Sequence, residues 1–241
     1  MFKAYHVEVT KHTVKSVYLP AVDWRAGMSE SEIYYATYCR LDEASGDNCV
    51  IVNGNAVVVG SELTLTKQVQ VTDRGKEVPC IVLSRGDIAM GFLPDKVFKQ
   101  VDRLLDDGWT CRAFASAVIF DKIHDIYRVE VAVICYREKD AAAFEPFVAS
   151  LMGRMAKGDH PVVSLSPKEV DHVIETGGQW ADVKTRKLPK LDKGTAYYKT
   201  KRTMTENMAY AAAEGNKGCY VGLFVVVFLI IFSIVSFIFL R

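Results

Sequence analysis

The spacing of apolar side chains predicts that the first 140 residues are rich in β-strands. Every second residue of Leu63–Val71 is apolar apart from Lys67, the alternation of a strand with one buried face. Two longer runs, Trp109–Phe120 and Ile126–Tyr136, combine β-branched and aromatic residues and predict strands joined by a short turn. We expect these strands to pair as an antiparallel sheet.

Weaker patterns come before these strands. Apolar and polar residues alternate weakly in residues 4–10 and 14–19. Met28–Cys39 could be a helix or a strand, because serines suited to helix caps precede β-favouring residues. Asn53-Gly54 stands between β-branched runs, where it predicts the type I′ turn of a hairpin.

Helical periodicity appears first after Pro94. Val97, Phe98, Val101, Leu104 and Leu105 form an apolar stripe on a predicted helix that Gly108 ends.

Beyond Asp140 the pattern is mostly helical, and Pro146 is expected to start or kink a helix there. A Ser-Pro-Lys-Glu capping box at residues 166–169 predicts a second helix, which ends near Gly177-Gly178. Residues 179–218 are polar and basic, and we expect a linker with a short helix at Thr203–Ala213.

The carboxyl-terminal segment Tyr220–Leu240 contains 21 residues without a charge. As a helix it covers the roughly 30 Å of a bilayer core, so it predicts a single transmembrane helix. Basic residues gather before it, and cations favour the cytoplasmic side. The first residues lack the layout of a secretory signal. We therefore expect a tail-anchored protein with its amino-terminal domain in the cytosol, in a bacterial inner membrane or a eukaryotic endomembrane.

The predicted fold class is α+β. Residues 1–140 form a β-rich domain, folded as a small barrel or as a twisted antiparallel sheet with one packed helix. A helical connector (141–178), a basic juxtamembrane linker (179–218) and the membrane anchor (219–241) follow.

The sequence offers little catalytic or metal-binding chemistry. The net charge is +1, and neither a phosphate-binding glycine loop nor a nucleophile with an adjacent base is present. Asp102 and Asp106 share a helix face, yet they fit its solvated side. The five histidines are scattered and the six cysteines form no Cys-x-x-Cys pair, which indicates free thiols in a reducing compartment. We predict no enzymatic activity, no cofactor and no metal.

The basic linker predicts contact with anionic lipid headgroups. Its eight cations stand against only two acidic residues between positions 181 and 202: Lys184, Arg186, Lys187, Lys190, Lys193, Lys199, Lys201 and Arg202. Phosphate contact with nucleic acid is the alternative for this run. Cys219, at the membrane boundary, is a candidate for S-palmitoylation.

The stretch 63–136 resembles a distant HIRAN domain. An apolar strand leads into IAMGFLP (Ile88–Pro94), and VFKQVDRLLDDG (Val97–Gly108) then precedes two strands. The resemblance implies a small β-barrel that binds single-stranded DNA ends. Phe92 and Trp109 would then stack on bases, with Phe114 as a further aromatic, while Lys96, Lys99 and Arg112 would contact phosphates. The family's Asn-Pro-Asp segment is replaced here by Asp73–Pro79.

Three functional hypotheses follow. The first is a membrane-tethered, non-enzymatic module that binds a protein partner from the cytosolic side. The second is a HIRAN-like nucleic-acid-binding module held at the membrane. The third is a bacterial membrane factor of the exclusion or immunity type.

Overall fold

The computed structural model describes residues 33–42, 56–71, 75–180 and 183–213 of the 241-residue chain. The strands of this part are β1 (Tyr34–Arg40), β2 (Glu62–Val71), β3 (Glu77–Arg85), β4 (Ile88–Phe92), β5 (Trp109–Asp121), β6 (Ile126–Arg137) and β7 (Thr195–Lys199). Its α-helices are α1 (Asp95–Asp106), α2 (Ala141–Lys157), α3 (Pro167–Glu175) and α4 (Met204–Ala213).

The strands form one antiparallel sheet in the order β1-β6-β5-β2-β3-β4. A bridge between Asp42, just after β1, and Phe92, at the end of β4, joins the two ends of this order. The sheet therefore closes on itself. Gly91 permits the close approach, since a Cβ there would lie 2.5 Å from the carbonyl oxygen of Asp42. β7 pairs with β5 at Val118–Asp121.

One face of the closed sheet builds an inner core. Strand residues of one parity point inward, such as Tyr35 and Cys39 of β1 and Val133 of β6, and α1 adds Val101 and Leu104. Each fully buried aliphatic side chain contributes roughly 1.5–3 kcal/mol. The amphipathic stripe of α1 thus has its partner in the sheet interior.

The opposite face of β1 and β6 carries a second core. Tyr34 and Ile134 face outward and pack with Phe147 of α2 and Val173 of α3. Because both faces are covered, β6 is buried without interruption from Val129 to Tyr136.

Several local predictions are confirmed. Helix α1 begins after Pro94, the strands β5 and β6 occur where expected, and Ser166 and Glu169 form the capping box of α3. The short helix near residue 203 is present as α4.

Other local predictions are wrong. Pro146 does not start a helix but lies inside α2, and the segment expected to be a linker contains β7. Val57 and Val59, expected on the second strand of a hairpin, are fully buried without belonging to a strand. The Asn53-Gly54 turn and the patterns before residue 28 lie outside the described residues.

The predicted fold class also needs correction. Its transmembrane helix, residues 219–241, lies outside the described residues, and no helix within them is long and apolar enough to cross a bilayer. A run of apolar residues predicts only that a segment is buried away from water. It does not by itself establish a helix that spans a membrane. Helices α2 and α3 pack on the sheet instead of forming a connector. The single-pass, tail-anchored architecture is thus replaced by an α+β fold of one antiparallel sheet with helices.

Candidate functional site

The residues predicted to contact nucleic acid have different environments. Lys96 and Lys99 are exposed on α1, whereas Phe92 and Trp109 are half-buried. Trp109 packs against the inner core, and the guanidinium carbon of Arg137 lies 5.7 Å from its ring centroid. The Trp109 ring therefore presents little open face for stacking.

Arg112 is held by carboxylates. Its Nε and Nη2 donate to the two carboxylate oxygens of Glu62 at 2.8 and 2.7 Å, and Nη1 donates to Glu145. The hydrogen bonds to Glu62 raise the pKa of Arg112, against the opposing effect of partial burial. Two negative charges surround this cation, so a phosphate would have to displace them.

The basic run 184–202 does not form one uniform charged surface. Lys199 donates to the carboxylate of Glu206 at 2.6 Å and to the carbonyl oxygen of Val57 at 3.0 Å. Arg202 donates from Nη2 to the carbonyl oxygen of Gly60 at 2.8 Å. These two cations attach the end of the run to the buried segment before β2.

Most remaining cations of the run face solvent. The exposed members are Lys184, Lys187, Lys190, Lys193 and Lys201. Contact of these lysines with an anionic surface stays a prediction. Cys219, the predicted palmitoylation site, lies outside the described residues.

Arg186, the remaining cation of the run, belongs to a buried polar cluster that the sequence pattern did not reveal. The cluster contains Glu130 of β6, which is 6% exposed, and His160 of the loop after α2, which is 5% exposed. Ser116 of β5 and Tyr38 of β1 complete it. One signal was available: Glu130 is the sole charge in the run Val129–Tyr136, and a buried carboxylate requires partners.

The hydrogen bonds of the cluster indicate the tautomer of the imidazole. Arg186 donates from Nε to Nδ1 of His160 at 3.0 Å, so Nδ1 is the acceptor. The ring proton is therefore on Nε2, which donates to Oε1 of Glu130 at 2.7 Å. The imidazole of His160 thus links a guanidinium to a carboxylate.

A β-bulge brings Ser116 to the same carboxylate. Ala115 pairs with Val131 and Ala117 pairs with Glu130, which leaves Ser116 as the extra residue. Its Oγ donates to Glu130 at 3.0 Å. Burial alone raises the pKa of Glu130, but the combined effects of His160, Arg186 and Ser116 outweigh it, so the pKa is lowered.

Tyr38 covers the cluster on one side. Its ring centroid lies 3.9 Å from the guanidinium carbon of Arg186 and 4.3 Å from the His160 ring. Its hydroxyl donates to the carbonyl oxygen of Pro161 at 2.8 Å, and burial raises its pKa. The aromatic ring thereby holds both cluster members in place.

The cluster also joins distant parts of the chain. Ser116 donates to the Glu130 carboxylate, and both ring nitrogens of His160 are hydrogen-bonded to other groups, so the imidazole does not accept from this hydroxyl. Two backbone hydrogen bonds beside the cluster, from Val162 to Lys184 and from Arg186 to His160, join the chain after residue 183 to the loop after α2.

A second candidate site is the β2–β3 arm, which we define as residues 66–71 and 77–80. β2 pairs with β5 only at Glu62 and Leu63, and its later residues pair with β3 alone among the described strands. Val69 and Val71 of the arm are 61% and 62% exposed. Exposed apolar side chains on a strand with only one neighbour among the described strands indicate a contact surface.

Within the described residues, no group of three or more histidine, cysteine, aspartate or glutamate side chains is arranged to hold a metal ion. No protein-family model matches the chain, and the searches of curated proteins and of solved structures found no similar protein. The HIRAN resemblance therefore stays a prediction.

Proposed function

We propose that this protein is a non-enzymatic binding module whose β2–β3 arm receives an extended segment of a partner protein by strand addition. The partner segment becomes a further strand beside β2. The observation that carries the proposal is the exposure of Val69 and Val71 on a strand that has left the body of the sheet.

The backbone of the arm supports strand addition. In an antiparallel pair, half of the N–H and C=O groups of an edge strand point away from its neighbour. Along Thr66–Val69, β2 has β3 as its strand neighbour within the described part of the chain. A peptide strand satisfies such groups with main-chain hydrogen bonds, which give affinity without requiring a particular sequence.

The side chains of the arm set the chemistry of the partner. Val69 and Val71 lie on the same face of β2, and Pro79 stands opposite Val69 on β3. A segment with β-branched residues at alternate positions would cover this face. Lys67, two residues earlier on that face, contacts Asp102 and Asp106 of α1 at 2.7 and 2.6 Å. These two ion pairs link the arm to α1.

The polar clusters support the non-enzymatic part of the proposal. Glu130 and His160 bond to each other and to Arg186, and Arg112 is held by Glu62 and Glu145. Side chains that form these hydrogen bonds and ion pairs stabilise the fold and are not open to a substrate.

The test is a titration of full-length protein into a fluorescently labelled ten-residue peptide with alternating valine and threonine and charged ends. We expect saturable anisotropy, together with slowed amide exchange confined to residues 64–71. A Val69→Thr/Val71→Thr double variant keeps β-propensity, and it should bind at least about tenfold more weakly because apolar contact area is lost.

The matched control is Ile123→Thr. It changes a side chain that is 70% exposed and lies outside the arm, in the turn between β5 and β6. This variant should bind like the unchanged protein. Equal binding by all three proteins, or protection elsewhere in the sheet, would contradict the proposal. Replacing the peptide by a single-stranded oligonucleotide tests the HIRAN-like alternative, which predicts binding that Lys96→Glu/Lys99→Glu abolishes.

A further inference from the structure

Two cysteines oppose each other across the central strand pair. Cys111 of β5 and Cys135 of β6 are register partners, between the pairs Arg112–Ile134 and Thr110–Tyr136. Directly opposed residues of antiparallel strands have Cα atoms roughly 4.5–5.5 Å apart. A disulfide needs about 4.4–6.8 Å. The backbone is therefore already placed for a bond between these two residues.

The side chains agree with the backbone. Both thiols are free, and the Cys111 thiol is near enough to the Cys135 thiol to raise its pKa. Burial raises the pKa of Cys135 well above its usual value, and the neighbouring Cys111 thiol raises it further. Cys135 is fully buried in the inner core, whereas Cys111 is half-buried, so an oxidant from solvent reaches Cys111 first.

The other described cysteines lack this arrangement. Cys39 stands opposite Val131 and Cys80 stands opposite Gln68. The core position of Cys39 resembles that of Cys135, and Cys80 is half-buried like Cys111. They therefore serve as internal controls for burial and for exposure without an opposed thiol.

We propose that Cys111 and Cys135 form a redox modification site, a dithiol that hydroperoxides convert to a disulfide. The Cys111 thiolate attacks one peroxide oxygen, the O–O bond breaks, and Cys111 becomes a sulfenic acid while hydroxide leaves. The Cys135 sulfur then attacks the sulfenic sulfur, and the S–O bond breaks. The hydroxyl group that leaves takes up the proton of the Cys135 thiol and departs as water. Two thiols lose two electrons, and the peroxide accepts them.

The disulfide would close the loop 112–134 and tie β5 to β6 covalently. Because this restricts the unfolded chain, the oxidised protein should unfold at a higher temperature than the reduced one. The modification would therefore change stability with little change in the shape of the sheet.

The experiment treats full-length protein with hydrogen peroxide, blocks remaining thiols with iodoacetamide and maps peptides without reduction. We expect a linked 111–135 peptide pair and an upward shift of the unfolding midpoint that dithiothreitol reverses. Cys111→Ser should lose both, while Cys39→Ser and Cys80→Ser should keep both.

Two outcomes would overturn the proposal. One is a sulfinic acid at Cys111 with an alkylatable thiol at Cys135 after unfolding. The other is a disulfide between other cysteines that forms with the same yield in Cys111→Ser as in the unchanged protein. Should Cys135→Ser fail to fold, Cys111→Ser still decides the matter, since its side chain is partly exposed and its replacement leaves the core residue in place.

Discussion

Two long antiparallel strand pairs of this molecule, β5–β6 and β2–β3, differ in what covers them. Both are rich in β-branched residues. Val131 and Val133 of β6 are fully buried, whereas Val69 and Val71 of β2 are more than half exposed. Strand composition alone therefore does not decide burial.

The difference lies in the neighbours of each strand. β6 stands between β1 and β5, with the inner core on one face and α2 and α3 on the other. β2 separates from β5 after Leu63 and continues with β3 alone among the described strands. The first pair is the centre of the fold, and the second extends from it as an arm.

The largest contrast is expected from Ile134→Ala in β6 against Val71→Ala in β2. Ile134 is fully buried, so its truncation should lower the free energy of unfolding by about 2–5 kcal/mol. Val71→Ala should change it by no more than about 0.5 kcal/mol. Urea unfolding followed by circular dichroism measures both. Similar losses in the two variants would mean that the arm is covered in solution.

The second contrast uses two glycines with nearly the same backbone angle. Gly60 has φ +73° and Gly75, at the end of the arm, has φ +72°. A Cβ at Gly60 would lie 2.8 Å from the carbonyl oxygen of Met152, while at Gly75 nothing among the described residues lies within 4 Å. Gly75→Ala should cost about 1–2 kcal/mol for the positive φ.

Gly60→Ala should cost about 1–3 kcal/mol more than Gly75→Ala, because overpacking adds to the same strain. Thermal unfolding of both variants provides the measurement. If the two costs are equal, the close contact between Gly60 and α2 does not exist in solution.

The third contrast concerns acid. The pKa of Glu130 is lower in the folded protein than in the unfolded chain, so its contribution is complete above about pH 4.3 and is lost as pH falls below that value. Glu130→Gln should lower stability at pH 5 by about 1–3 kcal/mol. It should also show a smaller drop between pH 5 and pH 3 than the unchanged protein.

Glu77→Gln in the arm is the control for this pH effect, since Glu77 is exposed. Its stability profile between pH 5 and pH 3 should follow that of the unchanged protein. Urea midpoints at several pH values measure the three curves. A parallel curve for Glu130→Gln would show that the buried carboxylate does not contribute through its charge.

The parts of the fold that were predictable from sequence depend on local signals. The apolar stripe after Pro94 specifies α1, and the capping box at Ser166 specifies the start of α3. β5 and β6 were predictable because each is long, apolar and bounded by turn residues. In these segments, local preference and tertiary environment agree.

What could not be predicted depends on distant partners. β7 lies in a polar, basic segment and is a strand because β5 offers it an open edge. The alternation of Leu63–Val71 correctly indicates a strand, yet Leu63 is buried and Val69 is not. The alternation of apolar residues is the same along the whole strand, so it does not show that the strand is buried at one end and exposed at the other.

The polar cluster was hidden for the same reason. Arg186 is one of eight cations in this run of the sequence, and its contacts with His160, 26 residues earlier, and with Tyr38 distinguish it from the exposed Lys187. Lys199 bonds to Val57 across 142 residues. Charge density along a chain therefore indicates where cations gather, without indicating which of them are already neutralised.

The pairing of β7 with β5 has a practical consequence for anyone who shortens this chain for expression. Ending it at the glycines near residue 178 would remove β7 and expose the Val118–Asp121 edge of β5. It would also remove Lys199 and Arg202 from the carbonyl oxygens of Val57 and Gly60. A fragment that ends after residue 213 keeps these contacts, so residue 213 is the better end point of the two.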